Sequence, residues 1–179
     1  MAEAFSNSLT RAAGIVTTAT GGSIGITTNL ITGISTTGIG VSDLVVNANY
    51  IAGSKVTIIG VSSVTVDRDS TNTAATTNNT VSFLGPTTAF TSAAATKTIL
   101  IGGTFANNTD SSVNLTVETR DSSEGVDVAV ASKIPVPAGS SFVITDVGKT
   151  LLEGTDEIRV YCDSSNAIDV NLSLLTGVN

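Results

Sequence analysis

The acidic residues are this chain's first candidates for chemistry, and several occur in pairs: Asp67 with Asp69, Asp121 with Glu124, Asp156 with Glu157. Two carboxyl groups facing each other across a cleft can divide acid and base roles, as in glycoside hydrolysis. Each of these pairs lies in or beside a turn, where acids are ordinary solvating residues. The chain contains no histidine, which removes the commonest general base, zinc ligand and pH-sensitive group together. Ser, Thr, Lys and Cys162 remain as nucleophiles, and none stands in a triad motif. Asp67-Arg68-Asp69-Ser70-Thr71-Asn72 opens like a calcium loop, but Asn72 and Asn78 occupy positions where an EF-hand requires Gly and Glu; an irregular Ca²⁺ site stays open. Gly102-Gly103 sits inside a strand pattern and reads as a bulge, because no helix follows to cradle a phosphate. Asn78, Asn107, Asn114 and Asn171 head glycosylation sequons that chance explains in a chain this rich in Asn, Thr and Ser. These readings assign no catalytic residue, no cofactor and no metal ligand, and they leave an enzyme as the last of the functional classes.

The elements that would position any site read as strands. Ile158, Val160 and Cys162 alternate with Arg159 and Tyr161; Ile168, Val170, Leu172 and Leu174 alternate with Asp169, Asn171 and Ser173. A period of two buries the first set of each strand and leaves the second in water. Asp163-Ser164-Ser165-Asn166 between them is turn chemistry, so the pair is expected to form a β-hairpin. Cys162, the single cysteine, falls on the apolar face as a small buried hydrophobe. Pro135 and Pro137 flank Val136 and place that piece at a sheet edge or outside the sheet. Val113, Leu115 and Val117, then Val126, Val128 and Val130, alternate in the same way. Six or seven strands are expected over 97–175, enough for an antiparallel sandwich.

The N-terminal part is less regular. Residues 2–13 could form a short helix, with Phe5 and Leu9 on one face; a frayed arm and an arm docked on a neighbouring subunit are both open. Seven glycines between Gly14 and Gly40 argue against helix there. Short strands at 8–12-residue spacing over 44–85 suggest a small β-barrel or sandwich. Residues 67–80 read as an exposed loop, and Gly85-Pro86 begins a linker running to about Thr96. The expected division is an N-terminal arm (1–19), a Gly/Thr-rich β module (20–92) and a β-sandwich domain (93–179). The module is either inserted into the sandwich or joined in tandem.

Composition narrows the partners. The 179 residues carry a net charge of −7, which favours neither nucleic acid nor an acidic membrane surface. Charged residues make up 13%, about half the usual share, so Thr/Ser/Asn surfaces can be buried without stripping water from charges. No run of 18 apolar residues offers a membrane-spanning helix, and no basic region followed by an apolar core marks the N-terminus as a secretory signal. Sugar sites usually rest on aromatic platforms, and this chain has no Trp, two Tyr and five Phe.

The segment Ile99–Asp121 (ILIGGTFANNTDSSVNLTVETRD), with KIPVPAGSSFV from Lys133, KTLLEG from Lys149, DEIRV from Asp156 and DVNLSLL from Asp169, resembles small β-sandwich virion structural proteins of tailed phages, common in marine cyanophages. The shared features are an I-P-x-P-A-G-S-S turn and an L-E-x-G-D-x-I-x-V turn; here Thr155 is added before Asp156. The N-terminal MAEAF is similar too. Residues 39–85 resemble a Gly/Thr-rich module of phage surface proteins, through Ile51, Gly53, Val56 and Ile59. The resemblance implies an all-β, non-enzymatic virion protein assembled in the host cytoplasm. A capsid-decorating (cement) protein on the particle exterior comes first, and a neck or tail component or a receptor- or glycan-binding surface module second. It also implies a homo-oligomer, a trimer by analogy, contacting the major capsid or other virion proteins. Phe5, Leu9, Tyr50 and Ile51 are the candidate subunit-interface residues.

Overall fold

The computed structural model describes residues 3–145 and 149–178. The strands in chain order are β1 (Ala4–Ala13), β2 (Ile15–Ile24), β3 (Leu30–Thr32), β4 (Leu44–Val46), β5 (Val56–Ile59), β6 (Ser63–Val66), β7 (Thr76–Gly85) and β8 (Thr87–Thr91). They continue as β9 (Lys97–Asn107), β10 (Val113–Asp121), β11 (Val126–Val136), β12 (Ser141–Ile144), β13 (Thr150–Leu152), β14 (Glu157–Cys162) and β15 (Ile168–Val178). The described residues contain no helix, and the paired strands whose register is resolved run antiparallel. Two compact units share the chain: Val16–Pro86 forms one, and Met1–Ile15 with Thr87–Asn179 forms the other. The first lies within the second in sequence, with its ends at Val16 and Pro86 against the expected 20 and 92.

The split unit is an antiparallel sandwich. One sheet has the order β1-β15-β9-β12, with β13 also pairing β9; the other has the order β11-β10-β14-β8. Phe105, Leu100, Leu172 and Leu174 from the first sheet meet Leu115, Val117, Ile158 and Val160 from the second in one apolar core. Cys162 is buried in the same core, and burial pushes its thiol pKa up. β11 is an edge strand, which lets it carry Pro135 opposite Asn114.

Three expectations change here. The N-terminal segment is a strand, not a helix: β1 pairs with β15 from Ala4↔Thr176 to Ala13↔Ile168. A spacing of four puts Phe5 and Leu9 on one face of either element, so that pair could not discriminate. The alternating Ser6, Ser8 and Thr10 fit the strand, and the Ser8 and Thr10 hydroxyls donate to the Ala89 carbonyl across the sandwich at 2.8 and 3.3 Å. Second, β14 and β15 are not a hairpin; they belong to opposite sheets. The Asp163–Asn166 turn crosses from one sheet to the other, and Asn166 N and Ala167 N donate to the carbonyls of Gly14 and Ala13. Both apolar faces still point into one core, but from opposite sides. Third, the linker contains β8, which pairs with β14 through Phe90↔Ile158 and Thr87↔Val160.

Gly102 and Gly103 lie where β9 bulges against β15. A Cβ on Gly102 would come within 2.9 Å of the Ile144 carbonyl, and one on Gly103 within 2.8 Å of the Leu172 side chain. Close approach therefore explains the pair.

The Val16–Pro86 unit has one six-stranded sheet in the order β4-β7-β2-β3-β6-β5. Its two ends meet: Leu44 bridges Lys55, Val45 N donates to Ser54 O at 2.8 Å, and Val56 N to Asp43 O at 3.0 Å. The sheet thus closes on itself at this point into a small barrel. Ile24, Ile31, Val64, Val66, Val81 and Phe83 fill it. The exposed loop expected over 67–80 is shorter, since β7 begins at Thr76.

Candidate interaction surface

The acids that drew attention in the sequence serve the backbone. Asp156 is buried; its Oδ1 accepts from Ser122 N at 3.0 Å and its Oδ2 from Glu153 N at 2.9 Å. One carboxylate thus ties the β10–β11 turn to the turn before β14. Thr155, the added residue, takes φ 74°, and its N–H donates to Ser92 O at 3.0 Å. Asp121 accepts from Ser123 N and Glu124 N, both at 2.9 Å, and these bonds hold its pKa below the usual carboxylate value. Asp67 accepts from Lys55 N at 2.7 Å. Asn72 turns its amide to Ala74 O at 2.6 Å. No group of three or more acid, Cys or His side chains that could hold a metal ion occurs among the described residues. Asn107, which heads a sequon, is buried and donates to the carbonyls of Ser111, Val136 and Pro137. It staples three segments together.

A polar network that alternation alone did not reveal lies on the face of the second sheet away from the core. Glu118 stands opposite Arg159, Arg120 opposite Glu157 on one side, and Arg120 opposite Asp127 on the other. Arg159 Nε donates to Glu157 Oε2 at 2.6 Å, its guanidinium lies 3.8 Å from Asp127, and Arg120 lies 3.3 Å from Asp127. Tyr161 was expected in water, yet it is fully buried and hydrogen-bonded with Glu118; burial and the neighbouring acids push its pKa well up. Opposite charges at directly facing positions brace β11, β10 and β14. The alternating opposite signs of Glu118/Arg120 and Glu157/Arg159 were the available signal.

The four candidate interface residues separate. Phe5 is 81% and Leu9 74% exposed on β1, while Ile51 in the barrel unit is 49% exposed. Tyr50 is withdrawn: it is buried in the barrel core, and its hydroxyl donates to Thr28 O at 3.2 Å. Burial pushes its pKa up to about 12, with Asp69 adding to the shift. Tyr50 is therefore a core residue because the loop after β4 folds its ring over the barrel interior. Of the two Tyr and five Phe, only Phe5 is largely exposed.

A shallow hollow of about 520 Å³ beside the Pro137–Ser140 turn is lined by Asn108, Thr109, Asp110 and Ser141 among others, with no aromatic ring. It offers hydrogen bonds but no stacking platform. At the turn itself, Ser140 N and Oγ both reach the Pro137 carbonyl, at 3.1 and 3.0 Å. No protein family matches the chain, nor does any curated protein or solved structure.

Proposed function

We propose that this chain is a non-enzymatic structural protein of a tailed-phage particle, a decorating (cement) protein on the outside of the head. Its partners are further copies of itself and the major capsid or other virion proteins. One observation carries this reading: β1, an edge strand of the sandwich, presents Phe5 and Leu9 to solvent while the other aromatic rings are wholly or partly withdrawn. Large exposed apolar groups mark protein contact surfaces, and aromatic anchors contribute heavily to binding. The acids engaged by backbone N–H groups support a scaffold role over catalysis. The I-P-V-P-A-G-S-S and L-E-G-T-D turns that carry the phage resemblance are closed by Pro137–Ser140 and by Asp156. A net charge of −7 suits the outside of a particle better than its packaged DNA, because phosphate binding draws on Lys and Arg.

Cryo-electron microscopy of particles that carry the chain tests this. Hundreds of copies on the head surface are expected. A few copies at the tail tip, or density inside the shell, would overturn it.

A further inference from the structure

The outer face of the first sheet carries an unbroken apolar row. Phe5 on β1 lies opposite Leu175 on β15, Leu175 opposite Ile99 on β9, and Ile99 opposite Leu151 on β13. Their neighbours Leu174, Leu100 and Leu152 point into the core, so these four point out. Phe5 is 81% and Leu151 48% exposed, and Leu175 and Ile99 are half-buried between them. Directly opposed residues stand about 4.5–5.5 Å apart, so the row runs roughly 15 Å across the sheet.

The adjoining rows extend the patch. Asn7, Ser173 and Gly102 form the next one; Leu9, Asn171, Thr104 and Val143 form the one after, with Leu9 and Val143 exposed at its ends. None of these three rows contains a charged residue, in a chain of net charge −7. Charges bound the patch: Lys97, 3.5 Å from Glu153, lies past the first row. Arg11 and Asp169 lie past the last, with Asp169 accepting from Ala12 N.

We propose that this face packs against the same face of a second copy about a twofold axis. Like-charged copies repel, and only a patch cleared of charge lets two of them meet without burying unpaired acids. A strongly basic partner would find little to pair with here. The area fits a weak, reversible pair. Three rows about 6.8 Å apart across four strands at about 4.8 Å spacing give roughly 400 Å² per copy. Two copies then bury about 800 Å², the size of a weak, transient association. Two sheets can stack face to face about 10 Å apart with strands nearly aligned. A flat face on its own copy makes a closed, isologous pair, so the unit of assembly is a dimer and not the trimer that the phage resemblance implies.

This inference rests on the self-association in the proposed function but not on the particle, and it is tested on the purified chain. Sedimentation equilibrium should show a reversible dimer. Phe5→Asp and Leu151→Asp should each raise the dissociation constant at least tenfold, while Val61→Asp, at a fully exposed position in the barrel unit, should leave it unchanged. Hydrogen exchange on the unaltered chain is independent of how the variants fold: dilution should deprotect peptides holding Phe5 and Leu151 and leave the one holding Val61 as it was. A monomer, a threefold assembly, or a dimer indifferent to Phe5 and Leu151 would overturn the proposal. Each of those results would leave placement on the particle to be decided separately by microscopy.

Discussion

Replacing Asp156 with alanine should damage the sandwich more than any other loss of a single surface-turn acid. The side chain is 6% exposed and accepts from two backbone N–H groups, Ser122 at 3.0 Å and Glu153 at 2.9 Å. Alanine leaves both donors without that acceptor. An orphaned buried donor costs about 1–3 kcal/mol. Ser122 is partly exposed and Glu153 is exposed, so water recovers part of both shares, and the expected total is about 1–3 kcal/mol. Against a typical domain stability of about 5–15 kcal/mol, that is a large fraction. Urea unfolding followed by far-UV circular dichroism measures it as a lower midpoint at unchanged slope. Asp110→Ala is the control. It removes the same charge from an exposed position and should stay within about 0.5 kcal/mol. Equal effects from the two variants, or a loss below about 1 kcal/mol for Asp156→Ala, would refute the argument that this carboxylate ties two turns together.

Three further outcomes follow from the same geometry. Gly14 has φ 120°, and a Cβ there would collide with the Ser164 carbonyl; Gly14→Ala should cost about 2–4 kcal/mol, read from the same denaturation curves. Arg159→Met removes the cation facing Glu118, Glu157 and Asp127 and should destabilise the split unit by about 3–5 kcal/mol, whereas a change below about 1 kcal/mol would mean the network braces nothing. Burial pushes the Tyr50 pKa up to about 12, from about 10 for an ordinary tyrosine. The contribution of Tyr50 is complete below the unfolded pKa and is lost as pH rises through the folded one. Stability should therefore fall between pH 10 and 12, and Tyr50→Phe should remove that part of the alkaline slope.

Period-two alternation exposed β10, β14 and β15 directly, because small and branched apolar residues recur at every second position: Val113, Leu115 and Val117, then Ile158, Val160 and Cys162, then Ile168, Val170, Leu172 and Leu174. It could not say which sheet each strand joins, since inward faces from opposite sheets look alike in sequence. β14 and β15 were paired on that account. β1 was hidden because its inward residues are Ser and Thr, which bond a backbone carbonyl instead of filling an apolar core. The barrel's closure depends on Val45, Ser54, Asp43 and Val56 meeting through backbone groups, which leave no mark on side-chain pattern. Of the candidate interface residues, Phe5 and Leu9 are exposed on β1. Tyr50 is not, and only the fold shows that its ring lies inside the barrel. The apolar row through Leu175, Ile99 and Leu151 depends on strand register, and three strands brought together from distant segments cannot be aligned by reading along the chain.

Quantitative mass spectrometry of purified particles tests the proposed role most directly. A decorating protein predicts this chain in hundreds of copies per particle, in a fixed ratio to the major capsid protein. A handful of copies per particle, or none, would contradict it.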